Sequence, residues 1–164
     1  MAIALSTELP EALTDLRTRA LFVLRLEVRS PQLVGPTPET YRRVGVISGG
    51  SFAGERLSGQ VLEGGNDWQT VRRDGATTLD VRIVLRTDDD ALIGMTYGGL
   101  RHGPADVLKR LDSGEVVDPS SYYFRVNPLF ETSATKYDWI NRIIAIGIGH
   151  RFVDGPVYNI LEVL

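Results

Sequence analysis

The sequence predicts an all-β protein, a single antiparallel β-barrel with one or two short helices. Apolar and polar residues alternate with a period of two over several segments, which is the spacing of a strand with one buried face. The 17 glycines and 8 prolines mostly separate these short segments, as turns do. Eight or more strands against so few helical segments favour a barrel or sandwich, and closure removes exposed strand edges.

Before the first strand, residues 7–19 predict a short helix or packing arm. Leu9, Leu13 and Leu16 recur at spacings of four and three, and Thr7 is a suitable cap. With this arm at residues 1–19, we interpret residues 1–164 as one β-barrel domain, because two cores would each be marginal at this length.

The strand pattern begins at residue 20 and continues to the end of the chain. A proline-rich loop is expected at 30–40, and glycines interrupt short strand material at 49–68. A reversal at Asn127-Pro128 would separate two of the strands, and Asp154-Gly155 is a strong hairpin signal. The predicted strands are 20–28, 41–48, 77–87, 91–99, 120–128, 129–134, 141–149, and the two arms of the final hairpin.

Residues 104–113 are the best helix candidate. Pro104 suits a first helical turn, and Val107, Leu108 and Leu111 form an apolar stripe. Gly114 suits the C-terminal cap, so we expect the helix to end there.

Composition excludes several classes of function. The net charge of −3 argues against a nucleic-acid binder, and no apolar run approaches the ~20 residues that span a bilayer. The absence of cysteine removes disulfides and thiolate metal sites and fits a reducing compartment, so we expect a cytoplasmic protein. His102 and His150 are far apart, and no metal, phosphate-loop, dinucleotide or nucleophile-elbow motif is present. We therefore expect neither a metal nor another cofactor.

Polar residues beside aromatics on the strands are the remaining candidates for chemistry. Arg82 and Arg125 stand in mid-strand, and an arginine inside a barrel must be paired, since an isolated buried charge is costly. Asp67, Asp80 and Glu131 are available partners. The alternative is that these residues lie on a solvent-exposed face.

Each candidate has both a functional and a structural interpretation. The candidate catalytic residues are Asp67 (general base, or a turn residue), Arg82 (polarising a carbonyl, or pairing with Asp80), Tyr123 (hydrogen-bond donor, or barrel filler), Arg125 (lumenal cation) and Glu131 (acid or base, or the counter-charge of Arg125). The candidate substrate-binding residues are Trp68 (pocket wall or core), Tyr97, and Arg101 (or a rim charge).

Four segments together resemble one family. They are GGSFAGERLSGQVLEGGNDW, LDVRIVLRTDDDALI, YYFRVNPLFET and YDWINR, and the resemblance covers roughly residues 18–163. On these segments the chain is identified as a member of the DUF3237 family, small bacterial and fungal proteins. The resemblance implies a small antiparallel β-barrel. One activity attributed within the family, cofactor-independent addition of water to activated double bonds of cyclic enones or lactones, agrees with the empty motif search.

Two functions remain open at this point. The first is a cofactor-independent hydratase, lyase or isomerase acting on a small unsaturated carbonyl compound in the lumen. The second is a barrel that binds a small carboxylate or aromatic acid without chemistry. The region Ile143–Ile148 is apolar on both faces, so either a partner subunit or the N-terminal arm should cover it, and we expect a homo-oligomer.

Overall fold

The computed structural model describes residues 9–164. Its strands are β1 (Thr18–Val28), β2 (Gln32–Pro36), β3 (Tyr41–Ala53), β4 (Ser58–Val61), β5 (Asn66–Val71), β6 (Thr77–Thr87), β7 (Leu92–His102), β8 (Tyr123–Glu131), β9 (Ala145–Phe152) and β10 (Gly155–Val163). The helix α1 (Ala105–Asp112) lies between β7 and β8. Three 3₁₀ segments complete the regular structure: Glu11–Leu13, Pro119–Ser121 and Thr135–Arg142.

All strands join one antiparallel sheet that closes on itself. The order around the sheet is β1-β10-β9-β8-β7-β6-β4-β3, and β1 pairs with β3 to close the ring. Strand β5 also pairs with β3 and β6, so β4 and β5 share one of eight positions in the barrel. Strand β2 pairs only with β3. This confirms the predicted fold class of an antiparallel β-barrel with short helices.

Alternation along each strand separates the core from the surface. On β6, Leu79, Val81, Ile83 and Leu85 are buried, while every intervening residue from Asp80 to Arg86 is exposed. Burying each such aliphatic side chain stabilises the fold by about 1.5–3 kcal/mol, so the register is strongly specified.

One end of the barrel interior is filled by aromatic packing. The rings of Phe22 and Phe52 lie 5.4 Å apart, and those of Phe22 and Phe130 lie 5.9 Å apart. Beyond them, the buried Glu162 accepts hydrogen bonds from Arg19 and Arg56, at 2.9 Å and 2.7 Å. The packing of these side chains fills this end of the barrel.

The helix prediction is confirmed. Helix α1 begins after Pro104 and is followed by Gly114, whose φ of 85° is the left-handed conformation favoured after a helix C-terminus. Val107 and Leu111 are buried against the barrel. Asp112 at the end of α1 accepts a 2.7 Å hydrogen bond from Arg151 of β9, which ties the helix to the barrel rim.

Three local predictions are wrong. Residues 32–36, inside the predicted loop 30–40, form the edge strand β2, because their backbone pairs with β3. Residues 123–131 form one continuous strand, with no reversal at Asn127-Pro128. Strand β9 pairs with β8 only at Arg125 and Val126. On that edge of β8, Pro128 therefore has no neighbouring strand, and the N–H that proline lacks is not needed there. The predicted strand 141–149 begins only at Ala145, because the 3₁₀ segment extends to Arg142.

Within residues 9–17, the 3₁₀ turn Glu11–Leu13 forms in place of the predicted arm helix, and the suggested cap Thr7 lies outside the described residues. Within residues 9–164, no helix has the length and apolarity needed to cross a bilayer.

Candidate functional site

A cavity of ≈ 260 Å³ occupies the end of the barrel opposite Phe22, Phe52 and Phe130. Its walls combine apolar side chains with several charged ones. The apolar wall includes Leu26, Ile47, Leu79 and Phe124, and the polar wall includes Arg43, Asp67, Gln69, Tyr97, Arg101, Arg151 and Tyr158. This mixture of an apolar wall and a few convergent polar groups is typical of small-molecule sites, and the volume suits a small ligand.

Strand register brings two of the polar groups to one level of the barrel. Tyr97 of β7 is opposite Val81 of β6, Val81 is opposite Asp67 of β5, and Asp67 is opposite Gly45 of β3. Because paired residues share a face, the side chains of Tyr97 and Asp67 both point inward. Gly45 has no side chain, so the row leaves space in front of Asp67.

Asp67 is a buried carboxylic acid with a single strong hydrogen bond. Its side chain lies in a residue that is 8% exposed, and Gln69 Nε2 donates to Oδ2 at 2.6 Å. Burial raises the pKa of Asp67 to about 6, because the charged form loses hydration; the Gln69 bond, Arg101, the Asp80 amide and Arg43 oppose this shift. The carboxyl group therefore exchanges its proton close to neutral pH.

Gln69 links Asp67 to a cation. Its Oε1 accepts from Arg43 Nε at 2.7 Å while its Nε2 donates to Asp67, so the two contacts fix the amide orientation. The chain Arg43–Gln69–Asp67 holds the carboxylate in place across β3 and β5.

Arg101 is the most unusual charge in the site. The residue is 6% exposed, and its guanidinium makes no hydrogen bond or ion pair with any of residues 9–164. Its nearest aromatic contact is Phe124, with the ring centroid 5.6 Å away. Burial, then the nearby Arg151 and Arg43, lower the pKa of Arg101 to about 10, which still leaves it a cation at neutral pH.

An aromatic cluster forms the inner part of the cavity. Tyr158 contacts both Tyr97 and Phe124 edge to face, with centroids 5.6 Å and 5.4 Å apart. A Cβ on Gly149 would lie 2.8 Å from Phe124 and 2.9 Å from Tyr158, so glycine is needed there for these rings to approach. No hydrogen bond of good geometry reaches the buried Tyr97 hydroxyl among residues 9–164, although the Tyr158 hydroxyl is close to it; burial, then Tyr158, raises the pKa of Tyr97 well above the usual 10.0.

Three of the candidates from the sequence meet in this cavity: Asp67, Tyr97 and Arg101. The turn interpretation of Asp67 and the rim interpretation of Arg101 are wrong, because Asp67 lies within β5 and Arg101 is buried.

The other candidates lie on the outer face, so their predicted placement in the lumen is wrong. Strand β8 buries Phe124, Val126 and Phe130, which forces the alternate residues Tyr123, Arg125 and Glu131 outward. Tyr123 is 43% exposed, its ring stacks on His102, and the Arg125 guanidinium lies 4.9 Å from its centroid.

The same alternation along the strands places Trp68 and Arg82 on the outer face of the barrel. Trp68 follows the inward Asp67 and is 43% exposed, with the Arg42 guanidinium 5.7 Å from its ring centroid. Arg82 follows the buried Val81 and is exposed. Neither residue lines the cavity.

Sequence reasoning missed Arg43, Gln69, Arg151 and Tyr158. A signal existed for two of them. Gln69 is two positions from Asp67, and Arg43 is four positions from Ile47. Side chains at even spacings on a strand point to the same face, so both residues are expected on the inner face. No comparable signal marks Arg151, which stands near a strand end.

The charges of the site determine what it can hold. Within residues 9–164, no three histidine, aspartate or glutamate side chains come together as a metal site. Asp67 is the one carboxylate among the cavity-lining residues, and four arginines share the lining with it: Arg29, Arg43, Arg101 and Arg151. Such a surface suits an anionic or strongly polarised oxygen-bearing ligand.

Fold and cavity together define a class: antiparallel β-barrels that are packed at one end and hold a small polar cavity at the other. The model of the family described as protein of unknown function (DUF3237) matches residues 16–163. The chain belongs to this family.

Relatives in two bacteria support the assignment. A UPF0311 protein of Rhodopseudomonas palustris is 34% identical over 149 residues, covering 91% of this chain and 97% of the relative. A UPF0311 protein of Clostridium acetobutylicum is 34% identical over 151 residues, covering 91% and 95%.

Solved structures share the fold over nearly the whole chain. The R. palustris protein, described as a conserved protein of unknown function, superposes with a TM-score of 0.89, 34% identity, and coverage of 92% and 99%. A "beta-barrel like protein" of Acinetobacter baumannii gives 0.82, with 34% identity and coverage of 94% and 100%. An enzyme of Penicillium herquei gives 0.72 at 22% identity, covering 95% and 100%, which shows the fold alone.

Proposed function

We propose that the protein is a cofactor-independent enzyme that adds water to, or removes it from, a small unsaturated carbonyl compound, with Asp67 as the proton-transfer group. One observation carries this proposal: a buried carboxyl group with a pKa of about 6 shares a cavity with an unpaired guanidinium and an unpartnered tyrosine hydroxyl. A general base works best when its pKa is near the working pH. The Penicillium herquei protein, described as an enzyme, is an example of catalysis on this fold.

In the addition direction, Asp67 takes a proton from water as the water oxygen bonds to the β-carbon of the conjugated double bond. The π electrons move toward the carbonyl and form an enolate. The protonated Asp67 then returns its proton to the α-carbon, which regenerates the carbonyl and the carboxylate. Atoms and charge balance without a cofactor, and the reverse sequence eliminates water.

The enolate oxygen is the charge that this site must stabilise. Tyr97 stays protonated because its pKa is raised, so its hydroxyl can donate to that oxygen, and the positive charges of Arg101 and Arg43 favour the anion. Preorganised donors of this kind are usually the largest contribution to the rate. The same groups also support isomerisation, in which Asp67 moves a proton between two carbons.

A substrate screen tests the proposal. Purified protein, treated with a chelator and desalted, is incubated with a panel of cyclic enones, unsaturated lactones and hydroxy-carbonyl compounds, and products are followed by mass spectrometry. We expect a gain or loss of one water for at least one compound, and loss of this activity in Asp67→Asn. Conversion by Asp67→Asn at the wild-type rate would overturn the role of Asp67, and no conversion across the panel would favour a binding function.

A further inference from the structure

The buried positive charge of the cavity exceeds what the protein itself neutralises. Among the arginines that line it, Arg29 pairs with Glu63, and Arg151 donates to Asp112 at 2.7 Å. Arg43 and Arg101 form no ion pair among residues 9–164. The charge of Asp112 acts on both Arg43 and Arg101, and that of Asp67 acts on Arg43, so the three arginines Arg43, Arg101 and Arg151 share two carboxylates.

Burial makes this excess costly for the free protein. An isolated charge that is removed from water is strongly disfavoured unless an opposite charge or a set of hydrogen bonds compensates it. Arg101 is 6% exposed, and its guanidinium, with five N–H donors, borders the cavity and forms no hydrogen bond or ion pair with residues 9–164. A second small cavity between the barrel and α1 is also lined by Arg43 and Arg101, together with Asp112, so empty space adjoins both arginines.

We propose that the substrate carries a carboxylate and that Arg101, assisted by Arg43, is its recognition site. This inference rests on the proposed function, and it narrows the substrate class to unsaturated oxo-carboxylates. Guanidinium binds a carboxylate through two parallel hydrogen bonds, which supplies both charge neutralisation and orientation. Tyr97, in the row of Asp67, then remains available for the carbonyl oxygen.

The strand geometry agrees with a substrate that has two separated oxygen groups. Tyr97 and Arg101 are both inward residues of β7, four positions apart, which places their backbones ~13 Å apart along the strand. Their side chains therefore present two different donors to one cavity. A ligand held by its carboxylate at Arg101 extends its unsaturated carbonyl toward Asp67 and Tyr97.

A matched pair of probes tests the inference by calorimetric titration. The probes are 3-oxocyclohex-1-ene-1-carboxylate and its neutral carboxamide, which differ in charge while sharing the enone ring. We expect the carboxylate to bind about tenfold or more tightly than the carboxamide to the wild type. The control is Arg86→Gln, an exposed arginine on the outer face of β6, which should keep the same preference.

Arg101→Gln should abolish the preference, because it weakens binding of the carboxylate probe and leaves binding of the carboxamide probe nearly unchanged. Arg43→Gln provides a second variant should Arg101→Gln fail to fold, and we expect it to reduce the preference several-fold. Equal binding of the two probes to the wild type, or a preference that survives in both cavity variants, would overturn the inference.

The two proposals fail separately. If the protein converts neutral cyclohex-2-enone and binds the carboxylate probe no more tightly than the carboxamide, the recognition role of Arg101 is refuted and the proposed catalytic function is retained. Carboxylate binding that depends on Arg101, with no turnover of any probe, would retain the recognition site and refute the catalytic function.

Discussion

Asp67 and Tyr97 lie in one register row of the barrel, separated only by Val81. Both side chains are buried, and each has an oxygen, Oδ1 and the hydroxyl, without a hydrogen-bond partner among residues 9–164. Leaving a buried polar group unsatisfied costs about 1–3 kcal/mol. Two such groups in one cavity are unfavourable for stability and well suited to a ligand that supplies both partners.

The first prediction concerns the pH dependence of turnover. If deprotonated Asp67 is the base, the rate at low substrate concentration should rise as pH increases through about 6, following the pKa of Asp67. Initial rates between pH 4.5 and 8 measure this. A profile that is flat through this range on an identified substrate would contradict the assignment.

The second prediction concerns stability. Asp67 holds its proton more tightly in the folded protein, at a pKa of about 6, than in the unfolded chain, near 3.8. Between these values the folded state binds more protons, so the contribution of Asp67 to the free energy of unfolding falls as pH rises from about 4 to 6. Asp67→Asn removes this penalty and should be more stable than wild type at pH 7, by roughly 2–3 kcal/mol, but not at pH 4.

Urea unfolding of both proteins at several pH values checks this difference. The informative quantity is how the difference in the free energy of unfolding between Asp67→Asn and wild type changes with pH. Any packing effect of the substitution that does not depend on pH cancels in this comparison. A difference that is the same at pH 4 and pH 7 would show that burial does not raise the pKa of Asp67 in the folded protein.

The third prediction concerns the space in front of Asp67. Gly45 lies in the Asp67 row, and a Cβ there would be 3.2 Å from Val28 Cγ1 and 3.6 Å from Asp67 Cβ. Gly45→Val should therefore fill the cavity and weaken ligand binding by about tenfold or more, with a barrel circular dichroism spectrum retained. Gly98→Ala is the control, because Gly98 is exposed and its added Cβ meets only the flexible Asn127 side chain closely, at 3.1 Å. Unchanged binding in Gly45→Val would place the ligand elsewhere.

The fourth prediction concerns the outer face of β8. Tyr123→Phe and Arg125→Lys keep the shape of side chains that do not line the cavity, so both variants should retain the wild-type rate and melting temperature. Kinetics on the substrate found in the screen, with Tyr97→Phe as the cavity counterpart, measure the contrast. Loss of the oxyanion donor in Tyr97→Phe should cost about 100-fold in rate. A comparable loss of rate in Tyr123→Phe would show that the outer face of β8 takes part in catalysis.

The fifth prediction concerns assembly. Ile144 and Ile148 are 64% and 43% exposed, so the described part of the N-terminal arm leaves them uncovered, and Leu13 of the arm is itself 68% exposed. A homo-oligomer remains our prediction for this face. Light scattering at micromolar concentration should give more than one chain, and Ile148→Glu should shift the mass toward one. A strict monomer in the wild type would contradict it.

The strand pattern determined most of the fold because the period of two is unambiguous where large apolar residues alternate with charged ones. β6 is found at the predicted residues 77–87 for this reason. The predicted boundary at Asn127-Pro128 is wrong because proline normally interrupts a strand ladder only where a neighbouring strand needs its N–H, and whether β9 extends that far is a tertiary property.

The site was predictable only in part. The alternation of β8 already assigns Phe124 and Val126 to one face and Arg125 to the other, so the outward position of Arg125 follows from the sequence alone. The burial of Arg101 does not, because it depends on Phe124 and the neighbouring strands closing over a strand end. Asp67 could be recognised as polar on a strand, but its perturbed pKa arises from contacts that only the closed barrel creates.

The central claim is that Asp67 transfers the proton in a cofactor-free addition of water. The most direct measurement is the initial rate of incorporation of ¹⁸O from labelled water into the β-hydroxy product, at pH 7, for chelator-treated wild type and Asp67→Asn on the substrate found in the screen. We expect the wild type to form the labelled product without any added cofactor and Asp67→Asn to be slower by about 100-fold or more, while it still binds the substrate. Labelled product formed by Asp67→Asn at the wild-type rate would contradict the account.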